Sequence, residues 1–122
     1  MSAREPEIDE ARARELLRQA RTRIESSLSN LERTRDSELD EIDTSTDPAD
    51  DAEQIEETQV DDALIEQLRA ELEATERAEK RLEDGTYGFS IESGEPIPAG
   101  RLEAVPWAER TPAEQERLEG GS

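Results

Sequence analysis

Asp43-Thr44-Ser45-Thr46-Asp47-Pro48-Ala49-Asp50 is the stretch on which the fold turns, because it breaks a chain that reads as helix on either side. Thr, Ser and Asp side chains bond nearby backbone N–H groups and so favour caps and turns. Pro48 is unwelcome inside a helix but well suited to the start of one. Working back from this break, the residues from about Glu7 to Ile42 contain neither Gly nor Pro. Their apolar positions, Leu17, Ala20, Ile24, Leu28, Leu31, Leu39 and Ile42, recur at helical spacing, with Arg35 interrupting the row. Working forward, a second helix is predicted from Pro48 or Ala49 to Glu83, with Gly85 as its stop. Its stripe is Val60, Leu64, Leu68, Leu72, Thr75, Ala78 and Leu82. Each stripe is one narrow face, which suits the seam of a helix pair better than a globular core. The predicted fold is all-α, dominated by a long antiparallel coiled-coil hairpin. At about 1.5 Å per residue, each arm would be roughly 50 Å long.

Composition supports an extended architecture. Of the 122 residues 31% are hydrophobic and 2% aromatic, while 40% are charged. That is too little Leu, Ile, Val and Phe to offset the chain entropy of a large globular core. The formal net charge of −19 repels nucleic-acid phosphates and anionic lipid alike, so neither direct DNA binding nor membrane attachment is expected. Lys80 is the only lysine, and Cys and His are both missing. Disulfides, thiol nucleophiles, imidazole bases and the usual zinc ligands are thereby removed together. The N-terminus, MSAREPEIDEARARELL, lacks an apolar leader, and no stretch approaches the roughly 20 apolar residues of a membrane span. A cytoplasmic monomer without a cofactor is expected.

Composition shifts after Gly85. Thr86 to Gly100 is dense in Gly and Pro and predicts tight turns with a small hairpin. Tyr87, Phe89 and Trp107 lie close together in this part of the chain, marking a small compact knob. Pro112 to Leu118 predicts a last short helix. The expected organisation is an N-terminal segment over 1–16, a hairpin over 17–84 with its tip near 43–52, and a terminal module over 85–122.

Two motifs in that module carry a family resemblance. Ala78-Glu79-Lys80-Arg81-Leu82-Glu83-Asp84-Gly85-Thr86-Tyr87-Gly88 is followed by Gly94-Glu95-Pro96-Ile97-Pro98, then by Arg101-Leu102-Glu103-Ala104-Val105-Pro106-Trp107-Ala108. This order resembles the zinc-finger module of the DksA/TraR family, in which a helix end leads into Tyr-Gly and a Cys-x-x-Cys-Gly knuckle. An Arg-Leu-x-Ala-x-Pro-x-Ala segment and a second Cys-x-x-Cys then follow. The resemblance puts the four cysteine positions at Ser90, Ser93, Thr111 and Glu114, so a four-thiolate zinc site cannot form. Structural zinc is commonly worth several kcal/mol or more to a small module. Its replacement is expected in a miniature core of Tyr87, Phe89, Ile91, Ile97, Leu102, Val105 and Trp107, with Ser90 or Ser93 hydrogen-bonding across the former site.

Asp47-Pro48-Ala49-Asp50-Asp51-Ala52 matches the family's Asp-x-x-Asp-x-Ala signature at the coil tip. The resemblance implies RNA polymerase as the partner, the hairpin entering its secondary channel, and Asp47, Asp50 and Ala52 as the regulatory contact. It also makes Arg77, Arg81 and Arg101 candidates for contact at the channel rim. In family members that respond to ppGpp, basic residues on the second arm take part. Two such positions fall on the uncharged Gln67 and Ala74, so ppGpp dependence is expected to be weak or absent. Read from the residues alone, Asp47 and Asp50 also make a helix N-cap and an acidic first turn. No catalytic constellation is present, and the carboxylates lack an enclosed pocket to separate their pKa values. The chain is expected not to be an enzyme. Two alternatives to a promoter regulator stay open: a polymerase-independent coiled-coil adaptor, and a competitor of other secondary-channel factors.

Overall fold

The computed structural model of the protein describes the backbone of residues 5–44 and 48–120, and the side chains of residues 5–37 and 62–120. Four helices follow one another among the described residues: α1 (Glu10–Thr44), α2 (Pro48–Asp84), α3 (Ala99–Ala104) and α4 (Pro112–Gly120). The only extended pairing among them is an isolated antiparallel bridge from Phe89 to Pro96. The fold is therefore all-α, with two long arms, as the stripes predict.

The arm ends are set by local chemistry. Asp9 accepts the Arg12 N–H at 2.7 Å through its side chain, so α1 starts at Glu10 rather than near Glu7. α2 ends where Gly85, at φ +81°, donates to Leu82 O and Thr86 donates to Arg81 O at 2.8 Å. This pair of bonds satisfies the last carbonyls and turns the chain out of the helix.

Tertiary contacts group the chain into two compact units, Thr22–Leu72 on the one hand and Met1–Arg21 with Glu73–Ser122 on the other. In the unit Thr22–Leu72, Ile24 and Ile65 are buried, and Leu28, Leu31, Leu68 and Leu72 are half-buried. Ion pairs from Glu32 to Arg69 (2.5 Å) and from Arg35 to Asp62 (2.9 Å) fix the arms antiparallel. Arg35, the interruption in the first stripe, thus faces a carboxylate rather than an apolar partner. The second stripe needs one correction: Leu64 is 41% exposed, and Ile65, at 2%, takes the seam. Steps of four overshoot a helical turn of about 3.6 residues, so a row of such steps drifts off the seam. The row that stays there, Ile65, Leu68, Leu72 and Thr75, alternates steps of three and four.

The other unit holds the main core. Ile8, Ala13, Leu16 and Leu17 meet Ala78, Tyr87, Ile97, Leu102 and Ala108, with Leu82, Val105 and Trp107 packed against them. Burying a side chain such as Ile97 or Leu102, both fully inaccessible, stabilises by about 1.5–3 kcal/mol. Two members of the expected miniature core are not in it: Phe89 is half-buried and Ile91 is 51% exposed. Ile91 sits on a tight reversal in which Gly94 donates to Ser90 O at 3.0 Å, and that turn points its side chain outward. Apolar mass comes instead from the other end of the chain, including Ile8 in the lead-in that precedes α1.

Gly88 explains how closely that lead-in is held. Its φ is +91°, and a Cβ there would lie 2.6 Å from Pro6 Cβ, so only glycine fits. α3 is an element that turn composition conceals, since Pro98 at its N-cap makes no side-chain bond. Glu7 supplies the missing acceptor, taking the Ala99 N–H at 2.8 Å. Arg12 adds a two-point pair with Glu103, at 2.9 and 2.6 Å. Neither partner is near in sequence.

Candidate functional site

The chain reverses between Gly88 and Ile97. Ile97 N–H donates to Gly88 O and Ser90 N–H to Glu95 O, both at 2.8 Å. The reversal carries Ser90 into the interior, 5% exposed, where its hydroxyl oxygen accepts the N–H groups of Glu92 (3.0 Å) and Ser93 (3.2 Å). Its own proton is then directed to Glu114 Oε1 at 2.6 Å. Ser93 in turn accepts the Glu95 N–H at 3.3 Å.

Glu114 arrives from α4. Thr111 Oγ1 accepts the Glu114 N–H at 3.3 Å, and Glu114 Oε1 accepts the Thr111 N–H at 2.9 Å. This reciprocal pair is a capping box, with Pro112 at the first helical position. Its signature, Thr111-Pro112-Ala113-Glu114, is legible in the sequence as Thr-x-x-Glu, although a metal-site reading of positions 111 and 114 passes over it. One buried carboxylate therefore caps α4 and anchors the reversal at Ser90. Hydrogen bonds from Ser90, then Ser93, then the Thr111 backbone hold the Glu114 carboxyl far below the usual range, down to about 2.

Ser90, Ser93, Thr111 and Glu114, the positions at which the resemblance places zinc ligands, thus converge in space. Their donor set does not fit the metal. Three are neutral hydroxyls, and the one carboxylate is already occupied by Ser90 and Thr111. Zinc sites of this class draw on thiolate and imidazole.

A second carboxylate joins the knuckle to the arm. Glu109 accepts two bonds from Arg77, at 3.0 and 3.1 Å, and a third from Arg81 at 3.0 Å. Its side chain is 17% exposed, and bonding to Arg77 lowers its carboxyl pKa. Two of the three proposed rim residues are thereby engaged within the chain. Arg101 stands apart on α3, half-buried, its Nε without a hydrogen-bond partner among the described residues. Nearby, the Tyr87 hydroxyl donates to Pro106 O at 2.8 Å, and burial pushes it up to about 12. Of the tip residues, Asp47 lies outside the described residues. Asp50 and Ala52 are placed by backbone in the first turns of α2, and their side chains lie outside them as well.

The arms and this carboxylate-closed knuckle define a class, the helical-hairpin proteins with a small terminal module. Known proteins make it specific. The chain is 28% identical to transcription factor DksA2 from Pseudomonas aeruginosa, whose structure matches over 87% of this chain and 84% of that one with a TM-score of 0.55. It is 50% identical over 44 residues to the RNA polymerase-binding transcription factor DksA of Caulobacter vibrioides, 36% of this chain and 31% of that protein. General stress protein 16O of Bacillus subtilis is 41% identical over 59 residues, 48% of this chain and 36% of its own length. The matched stretches span about a third of each of these two curated relatives. No family model matches the chain. The protein is DksA-like, a variant in which a carboxylate network stands where the zinc-finger cysteines would be.

Proposed function

We propose that this protein binds RNA polymerase and modulates transcription initiation, presenting the turn between α1 and α2 to the secondary channel. The observation that carries the reading is the structural likeness to DksA2 over nearly the whole chain, with the knuckle closed despite the loss of its ligands. A helix pair with acidic residues at its turn acts by charge, which is strong in a confined, water-poor channel. Asp47 and Asp50, with Ala52 beside them, would be the contact; Arg101 is the basic side chain best left for the rim. With Arg77 and Arg81 held by Glu109, and Ala74 buried, weak or absent ppGpp dependence is part of the same reading.

The test uses the full chain and purified polymerase holoenzyme on promoter DNA. A photo-crosslinker at Ala49 should label the large catalytic subunits, and Asp50→Asn should abolish the effect on initiation while leaving helix content and polymerase binding in place. Crosslinking with an effect that appears only when a second channel-binding factor is added would point to a competitor of such factors. Failure to co-purify with polymerase would point to an independent adaptor.

A further inference from the structure

Beside the knuckle, a groove of about 450 Å³ opens between the lead-in residues, the start of α1, the end of α2 and the turn at Gly85. Its floor is apolar, made by Ile8, Ala13, Leu82 and the ring of Tyr87. Its rim is acidic: Glu5, Glu7, Asp9 and Glu10 all line it, and among the described residues no Lys or Arg does. Two of these carboxylates are held in place from behind, Glu7 by the Ala99 N–H and Asp9 by the Arg12 N–H. Each uses one oxygen in this way, and a carboxylate can accept on both. Glu10 is paired with Arg14 and Asp9 lies within the field of Arg12, so the rim is partly neutralised at these two positions. The helical hairpin explains none of this geometry. An acidic residue can start a helix without an apolar trough beside it.

We propose that this groove docks an extended basic segment of a partner protein, one aliphatic side chain seated on the floor and flanking Lys or Arg side chains against the rim. The volume is that of a small ligand pocket, enough for one or two side chains rather than a helix face. Charge selects the occupant. A second copy of a chain carrying −19 would be repelled, as would nucleic acid or an anionic membrane. A cationic segment gains attraction at the rim while the floor supplies contact that salt does not screen. The site stands independently of the polymerase reading, and its test needs no polymerase.

The probe is an amidated Lys-Arg-Leu-Arg-Lys peptide, titrated into the isotope-labelled full chain near physiological salt. Because an acidic protein attracts any basic peptide, two comparisons isolate the groove. The first replaces the probe's Leu with Ser. The second sets Glu5→Gln/Glu10→Gln against Glu116→Gln/Glu119→Gln, an equal charge change on α4. Methyl signals of Ile8, Ala13 and Leu82 should move on titration. The Ser probe and the groove variant should each weaken binding about fivefold or more, and the α4 variant less than about twofold. Equal weakening by both variants, or equal binding of the Ser probe, would reduce the effect to general electrostatics and overturn the proposal. So would a concentration-dependent dimer lost in the groove variant, or Overhauser contacts from Met1 to Leu82. Those results would give the groove to a second copy or to the chain's own first residues.

Discussion

Glu114 is the residue on which the knuckle depends most directly, because hydrogen bonds, Ser90's foremost, favour its charged form. Its carboxyl is held near 2, against a value of about 4.3 unfolded. A depressed folded pKa contributes stability above the unfolded pKa, and that stability is lost as pH falls through the folded one. Stability should therefore decline between about pH 4.5 and about pH 2, followed by Trp107 fluorescence in urea. Glu114→Gln should flatten that decline while lowering stability at neutral pH; an unchanged acid limb in the variant would refute the assignment. Gly88 offers a second test at this scale. Gly88→Ala meets both a positive φ and Pro6 at 2.6 Å, whereas Gly85→Ala meets a positive φ in open space. The left-handed conformation alone costs about 1–2 kcal/mol for an alanine. Gly85→Ala should lose about that much in thermal unfolding and Gly88→Ala clearly more, with the Pro6 contact as the difference.

Among the elements, the second arm decides its own seam. Ile65→Ala removes a side chain only 2% exposed and should cost about 2–5 kcal/mol, while Leu64→Ala should cost less than about 1 kcal/mol. Urea midpoints of the two variants check this, and equal losses would return Leu64 to the seam. The arms were legible because an apolar row at helical spacing needs no knowledge of its partner. The register within the arm was not, since Leu64 and Ile65 are adjacent and equally apolar. Only the facing helix distinguishes them. α3 was hidden for a related reason: its cap comes from Glu7 and its brace from Arg12, neither near it in the chain.

For the whole molecule, the consequence is a module closed by carboxylates where thiolates would bind zinc. Two carboxylates do the joining, Glu114 from α4 to the reversal and Glu109 from the knuckle to α2. Thermal unfolding of the full chain should be unchanged by a strong chelator and by added zinc, whereas a thiolate-zinc module of this size loses its fold with its metal. A fall in the midpoint on chelation, or stoichiometric zinc in the purified protein, would contradict the network described. The same arrangement pairs both Arg77 and Arg81 with the one carboxylate of Glu109.

The sequence by itself determined the two helical arms, the stop at Gly85 and the family likeness of the knuckle. All are written in local spacing, in cap and turn chemistry, or in contiguous motifs. It also determined that no thiolate site could exist, which is a matter of composition. Tertiary structure alone decided what took that site's place. Ser90 and Glu114 are twenty-four residues apart and meet only once the chain reverses at Gly88 to Ile97. Pro6 on Gly88, Glu7 on α3 and Ile8 in the core depend likewise on distant parts of one chain being brought together. No local pattern encodes such contacts, because the free energy that selects them appears only when both partners leave water together.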